Sequence, residues 1–215
     1  MFTDDFDPSS IAATAFFTGH RHLPSNKKDE IASSIYQCLL DAYEAGYRRF
    51  FCGCALGFDT LAAFQTIRLR QVFSDVILVL AVPCETQSDR WNEKDKAVYR
   101  QILVLADEKI VLSPFYYQGA MLTRNRYMAD RSSLCICYLN KMRGGTASTV
   151  RYALIHDRIR IINLAVAGNN PQELLRESEW SCMFISPSAS KNAATAPLRL
   201  MRKRKLNMHH ISASC

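Results

Sequence analysis

No stretch of the 215-residue chain approaches the roughly 18 consecutive apolar residues that a membrane-spanning helix needs, so no membrane partner is expected. The opening MFTDDFDPSS is acidic and polar, unlike a secretory signal or transit peptide, and a cytoplasmic location follows by default. The chain has no internal repeat. No acid occurs in residues 181–215, which hold Lys191, Arg199, Arg202, Lys203, Arg204 and Lys205. Those six residues carry six of the formal seven net positive charges, leaving +1 for the first 180 residues. The basic character therefore belongs to a Ser/Ala-rich tail, expected to be disordered. A nearly neutral remainder argues against nucleic acid as the partner.

Zinc-type C-x₂₋₄-C spacing is also missing from the eight cysteines. Cys52/Cys54 and Cys135/Cys137 stand two residues apart, the spacing that places both side chains on one face of a strand. SLCICYL reads as a buried strand, so these are expected to be reduced, core-packed thiols, with no metal and no cofactor.

What is present is the balance of a globular protein, 48% hydrophobic and 22% charged. Short apolar runs alternate with amphipathic ones. TAFFT (14–18), RRFFCG (48–53), VILVLAVP (76–83), KIVLS (109–113), LCICYL (134–139) and IRIINL (159–164) read as strands. Helical patterns fall between them, at 27–46, 58–71, 92–106, 121–131 and 147–157. In the first, Ile31, Ile35, Leu39 and Ala42 recur at steps of three or four, marking one buried face. Alternation of this kind specifies an α/β, Rossmann-like domain: a mainly parallel sheet of about six strands with helices on both faces. Its expected limits are residues 13–180, between a polar N-terminal segment (1–12) and the basic tail (181–215). A short helix at 171–178 would close it.

Ligands of such sheets sit beyond the carboxyl ends of the strands, where loops meet helix N-termini. Four junctions there carry unusual residues. TGHRHLP offers Thr18, Gly19 and Arg21, the last suited to an anion; His20 and His22 read as ordinary loop histidines. CGCALGFDTLAA places Gly53 and Gly57 around a turn, with Asp59 in the first turn of the next helix. Neither G-x-G-x-x-G nor G-x-x-x-x-G-K-[ST] is present, so no dinucleotide or P-loop fingerprint applies. Arg90-Trp91 pairs a guanidinium with a flat aromatic face. Arg124 and Asn125 precede a strand that ends in RGGTAST, where Gly144, Gly145, Thr146 and Thr149 sit at a helix start. A tight turn explains either glycine-bearing junction alone. Their recurrence along one sheet edge favours a backbone cradle for phosphate.

TGHR, GCALGFDTLAA, RW, SPFYYQGAMLTRNRYMAD and GGTASTVRYAL follow one another as in YpsA-like members of the SLOG superfamily, and residues 14–165 resemble that family. The resemblance implies a Rossmann-like fold and a nucleotide or nucleotide-derived ligand, of the NAD, ADP-ribose or mononucleotide class. It also implies a homo-oligomer, as in many superfamily relatives. The superfamily includes the LOG hydrolases, which cleave the bond between base and ribose 5-phosphate, and the DNA-processing protein DprA. Arg124-Asn125-Arg126-Tyr127-Met128 is similar to the first LOG motif and Gly144–Thr149 to the second. The LOG catalytic glutamate would fall near Thr149 or Arg151, and neither is a carboxylate. That loss ranks binding without turnover above LOG-type hydrolysis, with Asp59 or Asp130 as substitute carboxylates should turnover occur; DprA-like nucleic-acid binding ranks last. Under the resemblance Gly53 and Gly57 admit the ligand, Asp59 contacts ribose, and Gly144, Gly145 and Thr146 donate to phosphate. Arg124 neutralises its charge, Arg21 is a second anion contact, and Arg90 and Trp91 line the wall.

Overall fold

The structure is a computed structural model that describes residues 9–165. A single helical turn, α1 (Ser9–Ala12), leads into β1 (Thr14–Gly19). There follow α2 (Lys28–Glu44), β2 (Arg49–Cys52), α3 (Phe58–Arg70), β3 (Ile77–Val82), α4 (Glu93–Leu105) and β4 (Glu108–Val111). The chain then continues through α5 (Ala120–Asp130), β5 (Leu134–Tyr138), α6 (Gly145–Leu154) and β6 (Arg160–Asn163). Within the described residues each expected strand and helix is found, shifted at its ends by at most three residues. The α1 turn was not expected within the polar N-terminal segment. The outer limits of the expected domain, the helix at 171–178 and the basic tail lie outside the described residues.

All six strands are parallel, in the order β4-β3-β2-β1-β5-β6. The chain builds outward from β1 to β4, then returns to the other side of β1 for β5 and β6. Parallel neighbours need crossovers, and crossovers of one hand place each half's helices on one face. Two apolar layers result. Phe17, Phe50, Leu78 and Leu80 pack with Ile31, Ile35 and Leu39 of α2, Ala62 of α3 and Ile102 of α4. Phe16, Phe51, Val79 and Cys135 pack with Met128 of α5 and Ala147, Val150 and Ala153 of α6. Adjacent residues such as Phe16 and Phe17 therefore enter opposite layers, which is why the strands read as continuous apolar runs. The six described cysteines are all buried and unpaired, five of them in or just beyond strands.

Reversal of strand order puts a switch point between β1 and β5, whose last residues Gly19 and Tyr138 lie side by side. Loops leaving neighbouring strands in opposite directions open a crevice at such a point. Among the described residues no helix is long and apolar enough to cross a membrane.

Candidate functional site

A cleft of about 250 Å³ lies at this switch point. Its walls are the ends of β1 (Thr18, Gly19) and its loop (His20, Arg21), the β2–α3 turn (Ala55) with Asp59, α5 (Met121, Arg124, Asn125) and the start of α6 (Gly145, Thr146). Four separate chain segments therefore converge beyond the carboxyl ends of the strands.

The helices around the cleft start unusually. α3, α5 and α6 each follow a glycine with positive φ (Gly57, Gly119, Gly144), and none has a side-chain cap. By contrast α4, away from the cleft, is capped by Asn92, which accepts a 2.9 Å bond from the Asp95 N–H. In α6 the first intrahelical bond runs from the Ser148 N–H to the Gly144 carbonyl at 3.0 Å. The N–H groups of Gly145, Thr146 and Ala147 precede it and carry the partial positive end of the helix. Open space surrounds the position a Gly145 Cβ would take, so packing does not require glycine there.

Asp59 faces the cleft from the first turn of α3, with only 4% of its surface exposed. The Ala55 N–H donates to its Oδ2 at 3.2 Å. Burial raises its pKa to about 6, against the opposing pull of Arg124, the Ala55 bond and Arg21. Arg21 is exposed and makes no hydrogen bond or ion pair among the described residues. It keeps its guanidinium available while still lowering the proton affinity of Asp59.

A hydrogen-bonded chain crosses behind the cleft. Arg124 donates to the Gly53 carbonyl and, through Nε, to Asn125 Oδ1 at 2.7 Å. Asn125 Nδ2 donates to Thr149 Oγ1 at 2.6 Å, and that hydroxyl donates to the Gly145 carbonyl at 2.8 Å. Arg124 is buried, yet it is one of the residues that line the cleft. One end of this chain holds the β2–α3 turn and the other holds the first turn of α6.

Several expectations need correction. Gly53 does not admit a ligand: a Cβ there would collide with the Arg124 guanidinium, so its bareness makes room for the arginine. Gly57 opens on a neighbouring cleft, and its own demand is internal, since a Cβ would strike the Arg21 and His20 carbonyls. Thr149 is buried and committed to two hydrogen bonds. Trp91 packs edge-on to Tyr99, 5.3 Å between ring centroids, against the α2–α4 layer. It and the exposed Arg90 are absent from the cleft walls. Asp130 ends α5, five residues beyond Asn125, the last cleft-lining residue of that helix, and is absent from the cleft walls. Its carboxylate accepts from the Tyr152 hydroxyl at 2.7 Å.

Sequence reasoning missed His20, Ala55 and Met121 as cleft residues. His20 Nε2 accepts from the Asn140 N–H at 3.3 Å, and burial, then Lys141, lowers its pKa. It also passed over Gln87, whose Nε2 donates to the Cys54 carbonyl at 2.8 Å and steadies a residue with φ of 51°. His20 was within reach, being the first residue past the end of a strand at the switch point. Gln87 carried no signal, because its partner is a backbone carbonyl 33 residues away.

An all-parallel sheet with a glycine-edged crevice at its switch point defines a Rossmann-like α/β domain. The chain belongs to the YpsA family, described as the YspA SLOG family, whose sequence model matches residues 18–159. It is 26% identical over 117 residues to the SPbeta prophage-derived protein YoqJ of Bacillus subtilis, covering 49% of this chain and 68% of that protein. To a UPF0398 protein of Halalkalibacterium halodurans it is 25% identical over 135 residues, covering 62% and 69%. Among solved structures, DNA processing protein A of Streptococcus pneumoniae aligns with a TM-score of 0.54 at 18% identity, covering 77% of this chain and 56% of that one. The protein of the same name from Helicobacter pylori, for which a single-stranded DNA binding mode is described, aligns at 0.53 and 18%, covering 80% and 76%. At such identity the likeness is one of fold.

Proposed function

We propose that this domain binds an anionic, nucleotide-related small molecule in the switch-point cleft and acts as a sensor or regulatory module. The observation that carries the reading is the pairing of the open first turn of α6 with the buried Asp59 carboxylate across one cleft. Phosphate matches the first: N–H donors and helix dipole both favour an anion. A ribose diol matches the second, since two hydroxyls can donate to one carboxylate. Arg124 and Arg21 supply the remaining positive charge.

A second reading, N-glycosidic hydrolysis, is favoured by one fact. Asp59 is the acid in the cleft, and a pKa near 6 suits a general base. Water would lose its proton to Asp59 as it attacks the anomeric carbon, and the base would leave with the bonding electrons and take up a proton.

Thermal-shift measurement against nucleoside monophosphates, NAD, ADP-ribose, ATP and cyclic nucleotides, followed by chromatography of each mixture, separates the two. A shift with intact ligand that is lost in Arg124→Ala and Gly145→Ala establishes binding. Released base that disappears in Asp59→Asn establishes turnover. No shift with any of these molecules removes the nucleotide reading.

A further inference from the structure

A second cleft, about 450 Å³, adjoins the first and shares Arg21 with it. The wall between them is the first turn of α3. Asp59 faces the smaller cleft, while Thr60 and Leu61 line the larger. Successive helical positions are about 100° apart, so one turn can serve both sides. Leu23, Leu61 and Val98 give the larger cleft an apolar lining; Lys28 and Arg21 are positive groups at its edge, and Asp95 adds an acceptor. Lys28, like Arg21, is exposed and makes no ion pair among the described residues.

The geometry points to a bipartite ligand, and we infer that the larger cleft is a subsite for its distal half: a flat, largely apolar ring joined through a second anionic group. This inference rests on the proposed nucleotide reading and deepens it. A mononucleotide would occupy the smaller cleft alone and leave the larger one empty. A nucleotide extended through its phosphate places the linking charge at Arg21, the residue common to both clefts. The distal ring then meets Leu61 and Val98, and its polar edge reaches Asp95. The ligand class is therefore the pyrophosphate-linked dinucleotide, in preference to the mononucleotide.

Calorimetric titration of the full chain with the four common nucleoside 5′-monophosphates and their symmetric pyrophosphate-linked dimers tests the subsite. At least one dimer is expected to bind about ten-fold or more tighter than its monophosphate. Val98→Trp, which fills the larger cleft from α4, should abolish that advantage while leaving the monophosphate affinity within about two-fold. Lys28→Glu, an exposed change that spares the core, should weaken the dimer selectively. Equal affinity for dimer and monophosphate, or an advantage that survives both substitutions, overturns the subsite and leaves the first cleft standing. Absence of binding by either class overturns both.

Discussion

Asn125 donates a 2.6 Å hydrogen bond to the Thr149 hydroxyl, tying the middle of α5 to the second turn of α6. On its other side Asn125 accepts from the Arg124 guanidinium. One amide thus holds the arginine that faces the cleft and the helix whose open N–H groups face it too. The resemblance to the LOG hydrolases put their catalytic glutamate near Thr149 or Arg151. Here the threonine is a strut: it supports the Gly145 carbonyl from below and is shut away from the cleft.

Removing that amide should therefore act twice. Asn125→Ala leaves the Arg124 Nε–H buried without an acceptor, at a cost of about 1–3 kcal/mol. Urea unfolding should show a loss of that size. Ligand affinity should fall as well, because Arg124 and the α6 turn lose their common anchor. An unchanged midpoint would mean that water replaces the amide and that the strut is dispensable.

Gly145→Ala separates a turn from a cradle. The position has ordinary φ and empty space where a Cβ would go. Alanine is a better helix residue than glycine by up to about 1 kcal/mol, so the variant should be as stable as the parent or slightly more so. If a phosphate approaches this backbone closely, the added methyl should still cost about ten-fold or more in affinity. Retained affinity would return the glycine pair to the role of a plain turn.

Asp59 carries a pH dependence whose sign is fixed by its raised pKa, about 6 in the folded protein. The folded state holds the proton more tightly than the unfolded chain, so the stability from the protonated form is complete below about pH 4. It is lost as pH rises through 6. Asp59→Asn keeps an acceptor for the Ala55 N–H and removes the titration. Relative to this variant, the parent should lose on the order of 2–3 kcal/mol between pH 4 and pH 7.5, as an upper limit. Melting temperatures of the two proteins across that range check the prediction. A variant more stable than the parent at pH 7.5 but unable to bind ligand would identify a carboxylate kept for function at the expense of stability.

The sheet was legible because its evidence is local. VILVLAVP, short and continuously apolar, is what a strand covered on both faces requires, and Ile31, Ile35, Leu39 and Ala42 can share a face only in a helix. Strand order, and with it the switch point, is a tertiary property. It joined Gly19 to Tyr138 across more than a hundred residues and turned separate junctions into one cleft. The same non-locality explains the misplacements. Arg90-Trp91 looked like a binding wall, yet Tyr99 lies two helical turns further along and the indole packs there. Gly53 looked like a ligand approach, but Arg124, 71 residues away, occupies the space. Spacing within a motif showed which backbone was bare, not what would lie against it.

The sharpest demand on a single residue falls on Gly57. Its φ of 83° is one that side chains with a Cβ rarely adopt, and a Cβ would also run into the carbonyls of Arg21 and His20. Those are backbone atoms that cannot rotate away. The Phe58 N–H donates to the same His20 carbonyl at 3.2 Å, so the start of α3 and the loop after β1 are held together at this point. Gly46 provides the control: its φ is 96°, but nothing lies within 4 Å of its Cβ position. Gly46→Ala should cost only the backbone strain, about 1–2 kcal/mol. Gly57→Ala should cost that and the displacement of the β1 loop, about 3 kcal/mol or more in total. Because Arg21 stands on that loop between the two clefts, whatever folded protein remains should also have lost its ligand. Chemical denaturation of the two variants side by side distinguishes strain from collision, and equal losses would show that the loop yields.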